Sequence, residues 1–173
     1  GTFNISTAAT FVVAGAGVKV AKHGNRSMTS RSGSADVLEA LGVDITLSPE
    51  KVAECIETIG LGFMFAPSLH PAMKYAMGAR KSLAVRTVFN ILGPLCNPAG
   101  VKRQVIGVFD GKLTDRIAEV LQLLGAKHAM IVHGNDGLDE ISTTDATKYT
   151  ELTPDGEIHS SMLTPPDFGL PVS

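Results

Sequence analysis

Residues 18–42, which read VKVAKHGNRSMTSRSGSADVLEALG, decide how the fold is interpreted. The apolar run VKVA predicts a short buried strand, and SADVLEALG predicts a short helix that Ser34 caps and Gly42 ends. Between them lies a polar stretch, residues 22–36, whose only apolar side chains are Met28 and Ala35. The order therefore predicts a strand, a loop and the N-terminus of a helix.

Helices are predicted on both sides of this stretch. Upstream, STAATFVVAGAG predicts a helix with Ser6 or Thr7 as its N-cap and Gly17 as its stop, and Asn4 is a further capping residue at the helix start. Downstream, LSPEKVAECIETIG predicts a helix that Ser48 caps and whose apolar face includes Ile59.

The alternation continues to the end of the chain. GFMFAP predicts a strand, and residues 70–92 predict a long helix that ends before Gly93 and Pro94. RQVIGVFD and HAMIVHG predict strands on either side of the helix LTDRIAEVLQLLG, and KYTEL and GEIHSSML predict a C-terminal β-hairpin around the turn TPDG. The fold class is therefore α/β, with a largely parallel sheet flanked by helices and ligands at the carboxyl ends of the strands.

Composition narrows the function classes. The chain has 173 residues, 44% of them hydrophobic, and a formal net charge of −2, so nothing attracts it globally to nucleic acid or to a membrane surface. No apolar run reaches the length of a membrane span, and no secretory signal is recognisable. Cys55 and Cys96 lack the spacing of metal ligands or of a disulfide framework, which favours a cytoplasmic location. Because the sequence opens at Gly1 without a methionine, we expect it to begin inside a longer protein.

The polar stretch has the chemistry of an anion site. Lys22 and Arg26 supply charge, Gly24 and Gly33 let the backbone approach a ligand, and the neutral donors are Asn25, Ser27, Thr29, Ser30 and Ser34. This composition suits a phosphate or pyrophosphate and equally suits a solvated loop. Neither the GxxxxGK[ST] nor the GxGxxG spacing is present.

A second polar segment, GNDGLDEIS, follows the predicted strand HAMIVHG. Its adjacent carboxylates Asp139 and Glu140 could bind Mg²⁺, although such a pair is more often simply solvated. The histidines have two interpretations. His23 lies within the polar stretch and could donate to a ligand, whereas a structural role is the first interpretation for His128, His133 and His159.

Several separated motifs together resemble one enzyme family. FNISTA, KHGNRSMTSRSGSADVLEALGV, SLHPAMKYAMGARKSLAVRTVFNILGPLCNPAG and GNDGLDEIS occur in this order, and the chain resembles the anthranilate phosphoribosyltransferases from residue 2 to residue 170. The resemblance implies a cytoplasmic, Mg²⁺-dependent enzyme that transfers the 5-phosphoribosyl group of phosphoribosyl pyrophosphate (PRPP) to anthranilate and releases pyrophosphate, the second step of the tryptophan branch. It also implies a homodimer of the full-length protein.

The same resemblance implies a domain assignment. Residues 1–173 correspond to part of an α/β phosphoribosyltransferase domain, and the family's N-terminal helical domain and glycine-rich GTGGD loop would precede them. The C-terminal remainder of the α/β domain would follow. We therefore expect a literal 173-residue polypeptide to bind PRPP weakly and to be poorly active.

Site residues follow from the same matches. Residues 22–30 match the PRPP-binding segment, Asn25 and Arg80 match residues that hold anthranilate, and Ser6, Asp139 and Glu140 match Mg²⁺ ligands. Catalytic roles are implied for Lys22, Asn25, Arg26 and Arg80. The implied substrate-binding residues are Thr2, Asn4, Ser6, Thr7, Lys22, His23, Gly24, Asn25, Arg26, Ser27, Met28, Thr29, Ser30, Ser34 and Arg80.

Two alternatives remain at this point. A pyrimidine nucleoside phosphorylase-like enzyme would use inorganic phosphate and would not need the KHGNR and GLDEIS motifs. A non-enzymatic relative that binds nucleic acid would be expected to carry a basic surface, and it would show salt-dependent binding to single-stranded DNA.

Overall fold

A computed structural model of the chain describes residues 3–27, 32–73, 75–76, 78, 82 and 87–171. The chain divides into two compact units: Gly1–Asn90 with Cys96–Ala99, and Ile91–Leu95 with Gly100–Ser173. The assignment of residues 1–173 to part of one α/β domain stays a prediction. Within the described ranges, no helix combines the length and apolarity needed to cross a membrane.

The first unit is built around a parallel pair of strands. Its elements are α1 (Ile5–Gly15), β1 (Val20–Gly24), α2 (Ser34–Ala40), α3 (Pro49–Ile59), β2 (Leu61–Phe65), α4 (Ala66–Leu69) and a 3₁₀ turn (Pro71–Met73). β1 and β2 run parallel, with Val20 opposite Leu61 and Gly24 opposite Phe65. Their carboxyl ends therefore meet at one edge, where the polar stretch begins.

A small apolar cluster supports the segment after β1. Ala35 and Leu38 of α2 are buried with Ile45, and Phe63 and Phe65 of β2 pack against them. Burial of these side chains fixes α2 against the parallel pair, because apolar surface leaves water there.

The second unit holds a mixed sheet. Its elements are α5 (Phe89–Leu95, which starts at the end of the first unit), β3 (Arg103–Gly107), α6 (Thr114–Leu123), β4 (His128–Gly134), β5 (Thr147–Leu152) and β6 (Ile158–Leu163). The strand order is β3-β4-β5-β6; β3 and β4 are parallel, and the other two pairings are antiparallel. The core joins α6 to the sheet through Ile106, Ile117, Leu121, Ile131 and Leu152, among others.

The predicted fold class is confirmed. The described residues form parallel pairs flanked by helices, and β5 and β6 are the predicted C-terminal hairpin. Its turn closes through a hydrogen bond from the Gly156 N–H to the Thr153 carbonyl at 3.0 Å. The two parallel pairs lie in separate sheets among the described residues, a division that periodicity does not reveal.

The predicted position of the first strand is wrong. VKVA places it at residues 18–21, whereas β1 begins at Val20 and includes Lys22, His23 and Gly24 of the polar stretch. A parallel ladder is made by backbone groups, so polar residues extend it wherever the partner strand continues. The polar stretch is therefore part strand and part loop.

The structure selects one of the capping residues predicted for α1 and corrects the cap predicted for α2. The N-cap of α1 is Asn4, whose side chain accepts a hydrogen bond from the Thr7 N–H at 3.1 Å. Ser34, the predicted cap of α2, is its first helical residue; the N-cap is Gly33, whose N–H donates to the Asp36 carboxylate at 2.8 Å. Glycine has no side chain that could accept a hydrogen bond, so the carboxylate three positions later caps this end of the helix from within.

Helix α3 matches its prediction except at its last residue. Ser48 accepts from the Lys51 N–H, and Gly60 ends the helix with a φ of 78°. Val52 is buried, but Ile59 is 69% exposed because it stands at the end of the helix, where the chain turns into β2. The apolar face of α3 in the structure therefore does not include Ile59, contrary to the prediction.

The single long helix over residues 70–92 is wrong. His70 lies between α4 and the 3₁₀ turn, and Thr87 is not helical. The Asn90 side chain accepts the Thr87 N–H at 2.9 Å, a local bond that competes with helix continuation. α5 then runs through Gly93 and Pro94, because a proline in a helix this short removes few backbone bonds.

Candidate active site

The first unit brings two predicted binding motifs together. Asn4 and Ser6 lie at the start of α1, and Lys22 lies in β1. The Lys22 Nζ donates to Ser6 Oγ at 3.1 Å, and Ser6 Oγ lies 3.4 Å from Asn4 Oδ1. An ammonium group beside a hydroxyl and an amide gives this edge of the parallel pair positive charge and polar donors, which suits an anionic ligand.

We define the β1 loop as residues 25–33; residues 28–31 lie outside the described residues. Where this loop leaves and re-enters the fold, its two ends touch: the Ala35 N–H donates to the Asn25 carbonyl at 3.2 Å. A Cβ atom at Gly33 would lie 2.4 Å from the Ser27 nitrogen, so the close approach requires glycine. The loop therefore has a closed base.

Carboxylates of α2 surround Arg26 of this loop. The guanidinium donates to both oxygens of Glu39, at 2.7 and 2.8 Å, and to Asp36 Oδ1 at 3.1 Å. Its hydrogen bond with Glu39, followed by that with Asp36, raises the pKa of Arg26. Arg26 also lies over the Phe65 ring, 5.8 Å from the centroid. Arg26, for which the resemblance implies a contact with PRPP, therefore has partners within the protein.

The pKa values of both carboxylates are lowered. Hydrogen bonds from the Ser27 and Gly33 N–H groups lower the pKa of Asp36, with a smaller contribution from Arg26. The hydrogen bond from Arg26 lowers the pKa of Glu39. Both groups are therefore ionised at neutral pH.

A histidine pair lies beside the parallel strands. His23 of β1 and His70, which follows α4, place their Nε2 atoms 3.1 Å apart with their rings at 74°. A hydrogen bond between two imidazole nitrogens requires one of them to be an acceptor, so at least one ring is neutral. Sequence reasoning did not predict this pairing, since 47 residues separate the two histidines.

The second unit carries the predicted acidic pair in the β4 loop, which we define as residues 135–146. Asp136 organises this loop: it accepts from the hydroxyls of Ser142 and Thr144 and from the Leu138 N–H at 3.2 Å. Hydrogen bonds from these hydroxyls lower its pKa. The backbone carbonyl of Asp139 lies directly over Gly107, where a Cβ atom would be 1.7 Å from that oxygen.

The donor chemistry of the β4 loop fits a hard cation. Asp139 is exposed and Glu140 is half-buried, just beyond the carboxyl end of β4. In the described part of the chain, no group of three His, Cys, Asp or Glu side chains could hold a metal ion. Mg²⁺ bound through one or two carboxylates, waters and a substrate phosphate needs no such group.

Five predicted site residues lie outside the described residues: Thr2, Met28, Thr29, Ser30 and Arg80. The three histidines assigned structural roles make local contacts in keeping with that interpretation. His128 contacts Glu151 at 2.6 Å, His133 contacts the Val108 carbonyl at 2.8 Å, and His159 contacts Glu157 at 3.0 Å.

Sequence reasoning missed the carboxylates that hold the two loops. Asp36 and Glu39 sit on the predicted helix after the polar stretch, and Asp136 lies within GNDG. One signal could have identified Asp36: an acidic residue three positions after the N-cap glycine is a capping arrangement. The partners of Arg26 carry no comparable local signal.

The chain belongs to a family described as "Glycosyl transferase family, a/b domain", whose model matches residues 1–173. Among its relatives, an anthranilate phosphoribosyltransferase from Thioalkalivibrio sulfidiphilus is 58% identical over 170 residues, which cover 98% of this chain and 50% of the relative. One from Methanocorpusculum labreanum is 60% identical over 168 residues, covering 97% and 49%. The chain thus spans about half the length of the curated relatives it matches.

Solved structures show the same likeness. Anthranilate phosphoribosyltransferase from Thermus thermophilus has a TM-score of 0.87 at 47% identity, covering 100% of this chain and 50% of that one. The enzyme from Saccharomyces cerevisiae in complex with PRPP and Mg has a TM-score of 0.89 at 34% identity, covering 99% and 47%.

Proposed function

We propose that the full-length protein transfers the 5-phosphoribosyl group of PRPP to anthranilate, with Mg²⁺, giving N-(5-phosphoribosyl)anthranilate and pyrophosphate. The observation that carries the proposal is the contact between Lys22 Nζ and Ser6 Oγ, which joins two motifs predicted to bind the same donor. The relatives named anthranilate phosphoribosyltransferase, and the yeast structure with PRPP and Mg, support the reaction and the metal. The proposal includes a homodimeric, cytoplasmic enzyme of which residues 1–173 are part of the α/β domain.

The reaction is a substitution at C1 of the ribose. The bond from C1 to the pyrophosphate oxygen breaks, the amine nitrogen bonds to C1, and that nitrogen loses a proton. Negative charge grows on the departing pyrophosphate, so catalysis rests on fixed positive charge and on alignment of the reactants. When bound, Mg²⁺ supplies further charge to the pyrophosphate oxygens.

The chain's own residues divide between the two substrates. Lys22 neutralises the donor's phosphate charge, and Asn4, Ser6 and Thr7 supply polar groups at the start of α1. His23 and Asn25 orient the acceptor, and the resemblance assigns the anthranilate carboxylate to Arg80. Asp139 and Glu140 would hold the metal.

Lys22→Gln in the full-length protein tests this assignment. We expect the KM for PRPP to rise by about 10- to 100-fold, the usual range for a lost charge-assisted hydrogen bond, with a smaller change in the KM for anthranilate. The matched control is Lys19→Gln, since Lys19 lies three positions away, is ion-paired with Glu57 and has no assigned role.

The readout is production of pyrophosphate that depends on both PRPP and anthranilate. Equal effects of the two lysine variants would contradict the role of Lys22. Turnover of a pyrimidine nucleoside with inorganic phosphate, and none with PRPP, would overturn the proposed function.

A further inference from the structure

A single carboxylate bridges the two described ends of the β1 loop. Asp36 Oδ2 accepts from the Ser27 N–H at 3.0 Å, at one end of the loop, and from the Gly33 N–H at 2.8 Å, at the other. Because one oxygen atom receives both bonds, Asp36 reinforces the closure that the backbone bond between Ala35 and Asn25 begins. The tight approach of Gly33 to the backbone of Arg26 and Ser27 is an independent sign of the same closure.

Arg26 adds a second connection from the loop to α2. Its guanidinium forms a two-pronged contact with Glu39 and a further bond to Asp36. Planar guanidinium and carboxylate groups fit each other in this way, so the contact fixes orientation as well as distance. Two carboxylates around one guanidinium leave this cluster without net positive charge.

We infer that Arg26, Asp36 and Glu39, which we call the brace, hold together the described ends of the β1 loop, residues 25–27 and 32–33, and that Arg26 is a positioning residue and not a ligand of the pyrophosphate. The inference rests on the proposed function, because the loop is the proposed donor site. It changes the role given to Arg26 by the resemblance and adds Asp36 and Glu39, for which the motifs imply no role.

A double-mutant cycle separates the two roles of Arg26. In the full-length protein, Arg26→Met, Glu39→Gln and the double variant are compared for the KM of PRPP, its kcat and the Kd of PRPP with Mg²⁺. If the brace positions the loop, each single change raises the KM and Kd by about 2- to 5-fold, the scale of a partly exposed ion pair, and the double variant matches the singles.

The opposite pattern would overturn the inference. A direct ligand role predicts a large loss in Arg26→Met, no loss or tighter binding in Glu39→Gln, and effects that simply multiply. Glu54→Gln is the matched control, because Glu54 forms a similarly exposed ion pair with Lys51 on α3, away from the loop. It should leave every parameter unchanged.

Asp36→Asn is the stronger test of the closure. The amide keeps the size of the side chain but is neutral, so the one oxygen that accepts from Ser27 and Gly33 loses its charge and both bonds weaken. We expect the Kd of PRPP to rise about 10-fold, with the Kd for anthranilate nearly unchanged. An unchanged PRPP affinity would overturn the role of Asp36.

Amide hydrogen exchange distinguishes failure of the brace from failure of the proposed function. In the unliganded protein, Asp36→Asn should speed exchange of the Ser27 and Gly33 amides about 10-fold without any substrate. Faster exchange in a protein that does not bind PRPP would support the brace and refute the function. Unchanged exchange in an active enzyme would refute the brace alone.

Discussion

The β1 loop and the β4 loop are each held by an aspartate, but the two aspartates have partners of different charge. Each loop follows a strand of a parallel pair. Asp36 of α2 joins the two ends of the β1 loop, and Asp136 joins distant positions of the β4 loop. Asp36 shares its carboxylate with Arg26, whereas Asp136 accepts from hydroxyls and a backbone N–H. The carboxylate of Asp36 is therefore paired with a cation, whereas that of Asp136 is held by neutral donors.

This difference indicates how the two loops would divide the work. In the β1 loop the charge of Arg26 is engaged by Asp36 and Glu39, and Lys22 of β1 adds positive charge beside the loop. In the β4 loop the negative charge of Asp136 adds to that of Asp139 and Glu140, which favours a cation. A loop's formal composition is therefore a poor guide to the charge it offers a ligand.

The largest expected effect concerns the glycine beneath the β4 loop. Gly107→Ala places a methyl group on the Asp139 carbonyl and should lower the free energy of unfolding by about 3 kcal/mol, because neither backbone can yield easily. Gly33→Ala should act on the β1 loop in the same way but less severely. Thermal unfolding measures both, with Gly15→Ala as control, since no atom lies within 4 Å of its Cβ position. Equal stability of all three variants would show that the loops do not rest on these glycines.

The second prediction concerns the negative charge of Asp139 and Glu140 in the β4 loop. Asp139→Asn combined with Glu140→Gln should weaken Mg²⁺-dependent PRPP binding about 100-fold, while the melting temperature changes little. Isothermal titration with and without Mg²⁺ provides the measurement. Asp155→Asn, in the exposed hairpin turn, is the control; a loss of the same size there would indicate a general charge effect.

The third prediction concerns pH. Asp136→Asn should cost about 1 kcal/mol of stability at pH 7, where the carboxylate accepts from Ser142 and Thr144. The pKa of Asp136 is lowered in the folded protein, so this stability is present above the ordinary pKa of about 3.8 and is lost as the pH falls through the folded value. Denaturant unfolding from pH 7 to pH 2 should show the difference between the two proteins shrinking only at the acidic end.

The smallest effect should come from salt. Raising NaCl from about 0.05 M to about 1 M screens the partly exposed contact between Arg26 and Glu39 and should speed amide exchange of Gly33 about twofold. Exchange of Leu138, held by Asp136 without an arginine, should change less. Equal salt sensitivity of the two amides would remove the contrast between the loops.

The sequence predicts elements well where local signals agree. β4 and the hairpin appear where alternation and turn residues place them, and α3 begins at its Ser48 cap and Pro49. β1 is displaced because its extent depends on β2, some forty residues away, and not on its own apolar residues. The long helix is interrupted because the Asn90 side chain offers the Thr87 N–H an alternative partner.

Site prediction separates in the same way. Motifs named Lys22 and Ser6, and the structure brings them within 3.1 Å. The motifs could not predict that Glu39 binds Arg26, 13 positions away, because no sequence pattern indicates which helix side chain faces a residue of the preceding loop. The contact between His70 and His23 was not predicted for the same reason, since it depends on the pairing of β1 with β2.

The base of the β1 loop has a consequence for the order in which the chain assembles. Its contacts join residues 3 to 13 positions apart, whereas the β1–β2 ladder joins segments separated by about three times as much chain. Short loops close with less entropic cost and sooner than long ones. We therefore expect the base of the β1 loop to close in the nascent chain before β2 pairs with β1.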